Sequence, residues 1–231
     1  MLLTLPIREV LPATARARIV RVDLQGRSFP FQAGQALLVA SHGFDKRKPY
    51  SIASSPDETA REGWLELLVG LNAEGEPGPH LQLTPGSLVD VEGPVGRFTL
   101  PEQPEERRLL FVAGGTGIAP LRAMVRQSLA RGDATVGVLY SARTPDDFAY
   151  ESELRQLAAQ GRIELLMTVT RDSGHAWNGT RGRIDAGLLA PLLHDRATLC
   201  FVCGPHALVA DMPGMLVDLG VARERIRIEE W

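Results

Sequence analysis

The sequence predicts two domains of different class: an N-terminal antiparallel β-barrel over residues 1–101, then a five-stranded parallel-sheet α/β domain over residues 107–231. Three observations carry this reading. Residues 1 to about 100 are broken roughly every 8–12 residues by Gly, Pro and Asp, with β-rich runs between, which is the rhythm of a small barrel or sandwich. From Arg107 onward the rhythm changes to strand, helix, strand, which implies right-handed βαβ units and a parallel sheet. Between the two, residues 101–106 are polar and proline-rich and read as a linker.

In the first part strands are expected over 17–24, 36–40, 64–71 and 88–91. Turn clusters separate them at Ser55-Pro56-Asp57, Glu74-Gly75-Glu76-Pro77-Gly78 and Thr84-Pro85-Gly86. In the second part an apolar run at 109–113 leads into a helix over 120–130 and a strand over 136–140. A helix over 151–159 follows, with Leu154, Leu157 and Ala158 as its apolar positions. Segments 163–169, 186–193, 199–203, 207–219 and 226–228 continue the alternation, and Pro213-Gly214 is expected to kink or split the last helix.

A hydrophobic content of 44% and a charged content of 23% are ordinary for a soluble globular chain. The formal net charge of -3 gives no reason to expect nucleic acid as a partner. No stretch approaches the roughly 20 apolar residues of a membrane span, and Pro6, Arg8 and Glu9 interrupt any secretory signal. No membrane association and a cytoplasmic location are therefore expected. Cys200 and Cys203 have C-x-x-C spacing but lie in an apolar run that reads as a strand, where residues three apart face opposite ways. A shared disulfide or metal is not expected, and two cysteines cannot by themselves hold an iron–sulfur cluster on four thiolates. The five histidines are scattered without metal-ligand spacing and read as surface or packing residues.

Gly115-Thr116-Gly117-Ile118-Ala119-Pro120 follows a predicted strand and opens a predicted helix, the setting of a phosphate-binding glycine turn. Glycines let the backbone approach a pyrophosphate, and a helix start offers unpaired N–H groups and a positive dipole end. Pro120 suits a first helical turn, where its missing N–H costs little. The alternative is a plain helix-capping turn. Cys203-Gly204-Pro205 lies at the end of a later strand and also enters a helix. Ligands of such sheets bind at the carboxyl ends of the strands, so the two turns are candidates for one crevice. Arg143 and the pair Thr170-Arg171 follow the next two strands. Basic residues there suit the 2′-phosphate of NADP, so NADPH is favoured over NADH, while Asp146 and Asp147 leave NAD open.

Four segments in order, Lys48-Pro49-Tyr50-Ser51, Gly93-Pro94-Val95-Gly96-Arg97-Phe98, Gly114 to Pro120, and Cys203-Gly204-Pro205, resemble the ferredoxin–NADP reductase superfamily of flavin oxidoreductases over nearly the whole chain. The resemblance implies that the barrel binds FAD, with FMN also possible. It implies that Tyr50 packs on the isoalloxazine, that Ser51 lies near N5, and that Cys203 sits beside the nicotinamide. Thr170 and Arg171 match a Ser-Arg pair that holds the 2′-phosphate. Glu229 matches a carboxylate two positions before a terminal aromatic residue and is a candidate proton relay. Trp231 is the candidate cover for the flavin until nicotinamide displaces it, the alternative being a frayed terminus.

The chain departs from the family pattern in three places. Lys48 stands where the family has a phosphate-clamping arginine, which keeps the charge but not the bidentate fork. The later G-x-x-S/T turn appears as Gly75-Glu76-Pro77-Gly78, without its hydroxyl. Gly70-Leu71 stand where many members carry a basic residue on the preceding strand. The resemblance implies an oxidoreductase that moves hydride from NAD(P)H to flavin and then single electrons to a ferredoxin, a flavodoxin or an oxygenase component. The rival readings are a flavin reductase that uses free flavin, an electron-transfer subunit of a larger complex, and a binding module that has lost the flavin.

Overall fold

The computed structural model describes residues 1–132, 134–171 and 177–230. Residue contacts divide the chain into two units. Met1–Leu100 and Arg122–Gln127 form the first; Pro101–Leu121 and the chain from Ser128 onward form the second.

The first unit holds strands β1 (Leu2–Thr14), β2 (Ala17–Asp23), β3 (Ala36–Ser41), β4 (Lys48–Ser51), β5 (Trp64–Gly70) and β6 (Leu88–Val95), with helix α1 (Pro56–Glu62) between β4 and β5. The strands run antiparallel in the order β4-β3-β6-β1-β2-β5. Ile52, just past β4, bridges Leu67 of β5, and the Ala53 N–H donates to the Glu66 carbonyl at 2.7 Å. That join brings the two outer strands together and closes the sheet, which removes its exposed edges. Alternation supplies the interior. Leu5 and Ile7, Val20 and Val22, Leu37 and Val39, and Val89 and Val91 meet in one buried cluster, because every second strand residue points the same way. On β5 even Glu66 is buried, at 1% exposure.

Three elements of this unit escape the sequence reading, one of them the four-residue strand β4. β1 carries Pro6, Arg8 and Glu9, which hide its alternation; Pro6 is tolerated at the last rung of the ladder with β6. Ser55-Pro56-Asp57 is a helix start rather than a turn. The Ser55 hydroxyl accepts from the Glu58 N–H at 3.1 Å and the Glu58 carboxylate accepts from the Ser55 N–H at 3.3 Å. This capping box satisfies two otherwise orphaned donors, and Gly63 ends α1 in the left-handed conformation.

The second unit holds β7 (Arg108–Gly114), α2 (Ile118–Arg131), β8 (Thr135–Ala142), α3 (Glu151–Ala159), β9 (Glu164–Val169), β10 (Thr180–Arg181), α4 (Ala186–Leu189), β11 (Leu199–Gly204), α5 (His206–Asp218) and β12 (Ile226–Glu230). All neighbours pair parallel, in the order β10-β9-β8-β7-β11-β12. The five expected strands are present, and β10, only two residues long, extends the edge as a sixth. Central β7 and β11 are buried throughout, as expected where both faces of a parallel sheet are covered. Helix α5 runs unbroken through Pro213; the expected split does not occur, since Met212, Pro213 and Leu216 are all buried and hold its inner face in place.

Candidate functional site

In the second unit the chain order β7-β8-β9 proceeds to one side of β7 and β11-β12 to the other. The carboxyl ends of β7 and β11 therefore flank the topological switch point, where open α/β sheets bind ligands. Gly115–Gly117 forms a 3-10 turn there, continued directly by α2, and the first turn of the helix carries no acidic residue. Gly115 adopts φ +55°, a left-handed conformation that favours glycine. Gly117 is needed for a different reason: a Cβ there would stand 2.3 Å from the Cys203 carbonyl oxygen and 2.8 Å from the Gly204 Cα. The two glycine turns are thus packed backbone to backbone, with Pro205 starting α5 beside Gly114.

Tyr140 holds this arrangement from below. Its hydroxyl donates to the Gly115 carbonyl at 2.9 Å and accepts from the Ala149 N–H at 3.2 Å. Complete burial raises its pKa, so the phenol remains a donor at any physiological pH. The sequence offered only a Tyr at the end of a strand, which does not reveal this positioning role.

Cys203 stands next to last in β11, fully buried, and pairs in register with Glu229 of β12. In a parallel ladder, paired residues share a face, so residues 26 positions apart become neighbours. Burial pushes the Glu229 carboxyl up to about 7, and its Oε2 is buried without a hydrogen-bond partner. Neither cysteine is in a disulfide, as strand geometry requires. Among the described residues no group of His, Cys, Asp and Glu is arranged to hold a metal. Trp231 lies outside the described residues.

The strand ends beyond are basic. The Arg171 N–H donates to the Arg143 carbonyl at 2.8 Å and the Thr170 N–H to the Ala142 carbonyl at 3.0 Å, so the segments after β8 and β9 are zipped together. The Thr170 hydroxyl donates to the Ala142 carbonyl as well, at 3.2 Å. Short strand β10 adds Arg181, paired with Val169, which the sequence reading missed because a two-residue strand leaves no periodic signal. Arg143, Arg171 and Arg181 are all exposed. A cavity of about 620 Å³ lined by Glu151, Arg155, Leu166, Met167 and Trp177 includes none of these turn or arginine positions.

In the first unit β4 carries Lys48, Pro49, Tyr50 and Ser51 antiparallel to β3, with Tyr50 opposite Leu37 and Ser51 opposite Ala36. Lys48 and Pro49 are exposed. Tyr50 is half-buried, and burial pushes its pKa up to about 12. Its hydroxyl lies 2.7 Å from Nε2 of His80. The Ser51 hydroxyl is buried with no hydrogen-bond partner. Buried hydroxyls are nearly always satisfied, so an unmet one on the strand that also carries Tyr50 fits a ligand acceptor such as a flavin nitrogen. Gly78 adopts φ +99° next to His80. Gly75 lies further out in a turn folded around Asn72, whose side-chain oxygen accepts from the Glu74 and Glu76 N–H groups. There it lines a cavity of about 320 Å³ with Arg18 and Glu76.

Comparison with known proteins agrees with both units. Residues 5–100 match the oxidoreductase FAD-binding domain model and residues 111–213 the oxidoreductase NAD-binding domain model. The chain is 34% identical to ferredoxin–NADP reductase B of Sorangium cellulosum over 97% of its own length and 94% of that protein's. A cytochrome P450 reductase of Amycolatopsis, GcoB, superposes with a TM-score of 0.85 at 25% identity, over 99% of this chain and 70% of that one. A ferredoxin NADP+ reductase of Neisseria gonorrhoeae with bound FAD and NADP has the same fold, with a TM-score of 0.81 at 22% identity over 99% and 98% of the two chains. A barrel with an unmet hydroxyl on its β4 strand, a glycine crevice at the switch point of a parallel sheet, and these matches lead to one conclusion: the chain belongs to the ferredoxin reductase-like superfamily of FAD- and NAD-binding oxidoreductases.

Proposed function

We propose that this oxidoreductase takes electrons from NADPH onto FAD and delivers them singly to a separate carrier of the ferredoxin or flavodoxin kind. The observation that carries the reading is the Ser51 hydroxyl, buried without a partner on the short strand that also carries Lys48 and Tyr50. Bound flavin supplies hydride acceptance at N5 and release of electrons one at a time; the side chains bind, orient and hold protons. Ser51 donates to the ring, Tyr50 lies against it, and Lys48 carries positive charge toward the phosphates. On the other unit Gly115, Thr116, Gly117 and Pro120 present helix-start N–H groups to the coenzyme pyrophosphate. Cys203, Gly204 and Pro205 place the nicotinamide, and Trp231 is the aromatic cover at the chain end. Glu229 holds a proton near neutrality, suited to a relay.

NADPH is favoured because Arg143, Thr170 and Arg171 converge through the hydrogen bonds between their strand ends, with Arg181 on the adjoining strand. The relative of similar length is named a ferredoxin–NADP reductase, which supports a one-electron protein acceptor. A second reading, reduction of free flavin as a substrate, is favoured by Gly78, which lacks the hydroxyl of the phosphate turn.

An anaerobic spectrum of the purified protein separates the two. A yellow protein bleached by NADPH at a KM about tenfold or more below that for NADH, the scale of one charge-assisted contact, supports the proposal. A colourless protein that reduces added flavin supports the second reading. Equal use of both coenzymes overturns the NADPH preference alone.

A further inference from the structure

His80 has two ring nitrogens, and only one is accounted for. Nε2 faces the Tyr50 hydroxyl at 2.7 Å. Nδ1 is buried with no hydrogen-bond partner, and the residue as a whole is 4% exposed. Burial and the charge of Lys48 lower the His80 pKa, so the ring is neutral near pH 7 with one N–H and one lone pair. Tyr50, raised to about 12, keeps its proton and can donate it to Nε2. That tautomer leaves Nδ1 carrying a hydrogen with nothing to receive it.

Gly78 lies beside that nitrogen. A Cβ built at Gly78 would stand 3.5 Å from Nδ1 and 3.7 Å from Cε1 of His80. A serine or threonine at 78 would therefore carry its hydroxyl, one bond further out, into the region that Nδ1 addresses. The bare glycine leaves the imidazole as the nearest directed donor there. The charge that acts on the ring is that of Lys48, and it is positive. A buried N–H, a cation and a glycine with open space beside it make a place for an anion.

We propose that His80 is a phosphate-binding residue: its Nδ1–H, fixed in that tautomer by Tyr50, donates to a phosphate oxygen of the bound flavin and replaces the hydroxyl that Gly78 lacks. This rests on the flavin reading of the first unit. Nδ1 is closed to solvent, so admitting the phosphate takes a small outward movement of the Gly75–Gly78 turn. Gly75 has nothing within 4 Å of its Cβ position, and Gly78 has only His80. A phosphate beside the imidazole opposes the effect of Lys48 and raises the His80 pKa. The protonated ring keeps its Nδ1–H on the phosphate while the Tyr50 hydroxyl turns to accept from Nε2–H, so binding takes up a proton and tightens as pH falls from 8 to 6. The Tyr50 hydroxyl that faces Nε2 holds its proton throughout this range.

The test is titration of flavin-free protein with FAD, FMN, riboflavin and inorganic phosphate, by flavin fluorescence and by calorimetry in buffers of different ionisation enthalpy. Asparagine places an amide N–H where Nδ1 stands, and glutamine places one where Nε2 stands. His80→Gln is expected to weaken FAD and FMN about tenfold, the scale of one hydrogen bond to a charged group. His80→Asn is expected to keep most of that affinity, and riboflavin is expected to bind all three proteins alike. Wild type takes up a proton on binding FAD; neither variant does. Wild-type affinity for FAD in His80→Gln, or no proton uptake by wild type, overturns the proposal while leaving the flavin reading intact. Should either variant fail to fold, the wild-type proton uptake still decides. Inorganic phosphate that binds at His80 without competing with FAD assigns the nitrogen to a free anion and overturns the flavin assignment. Wild-type protein that binds no flavin at all removes the flavin reading itself.

Discussion

A carboxyl group that holds its proton up to about pH 7 needs only burial without a compensating cation, and Glu229 has that environment. The sign of its effect on stability follows from linkage. The folded pKa lies above the unfolded value, so between about 4.5 and 7 the native state binds more protons than the unfolded chain, and stability falls as pH rises through that window. The penalty is absent below the window and complete above it. Glu229→Gln is therefore expected to melt like wild type at pH 4 and higher than wild type at pH 8. A melting-temperature difference that does not grow with pH would show that Glu229 is ionised and partnered in solution. Ser51 and His80 follow the same logic: a buried polar atom without a partner marks a place where a ligand completes the hydrogen bonding.

At the scale of elements, the second unit depends on a backbone-to-backbone contact between its two glycine turns. Gly117 has ordinary helical torsions, φ -60° and ψ -8°, so alanine there is conformationally free, yet its Cβ would overlap the Cys203 carbonyl. Gly117→Ala is expected to push the ends of β7 and β11 apart. Its expected cost is about 1–3 kcal/mol, as for overpacking of a close-packed interior, with a raised KM for the coenzyme. Gly214→Ala in α5 meets nothing within 4 Å and is expected to stabilise by about 0.5–1 kcal/mol through helix propensity alone. Urea unfolding of the two variants separates the causes, because a general intolerance of alanine would lower both. These element contacts were partly legible. The glycine spacing and its strand-to-helix setting stand in the sequence, and so does the Ser55-x-x-Glu58 capping signature, which Pro56 and Asp57 disguise as a turn. Strand β1 was obscured by Pro6 and two charges, and β10 is too short to leave a pattern.

At the scale of the whole molecule, burial forces sequence-distant charges together in the first unit. Arg122, 5% exposed, donates to the Ala53 carbonyl at 2.8 Å and to Glu58 at 3.2 Å, and lies 3.3 Å from Glu66. Arg126 donates to Glu58 at 3.1 Å, and Arg21 donates to Glu66 at 2.7 Å. Burial pushes the Glu58 carboxyl up, but Arg122 and Arg126 outweigh it and hold it below the usual range. Its contribution is present above the unfolded pKa and is lost as pH falls through the lowered folded one. Arg122→Met leaves Glu58 and Glu66 buried with less compensation, and an expected cost of about 3–5 kcal/mol at pH 7 follows from breaking a buried ion pair. That deficit is expected to shrink as the carboxylates protonate in acid. Urea midpoints at pH 7 and pH 3.5 check it; a deficit unchanged with pH would mean that lost packing, not charge, is responsible.

The sequence by itself determined the class of both units and the two glycine turns, because periodicity and turn chemistry are local properties. It also argued against a disulfide between Cys200 and Cys203, since strand geometry turns them apart, and both thiols are free. The tertiary structure alone decided that Ile52 closes the barrel on Leu67, that Cys203 stands in register with Glu229, and that Arg181 joins Arg143 and Arg171 at the strand ends. It also decided that His80 pairs with Tyr50 across 30 residues and Arg122 with Glu58 across 64. Each of these depends on which distant segments share a sheet or a core, and that is fixed by register and burial summed over the whole fold rather than by any spacing along the chain.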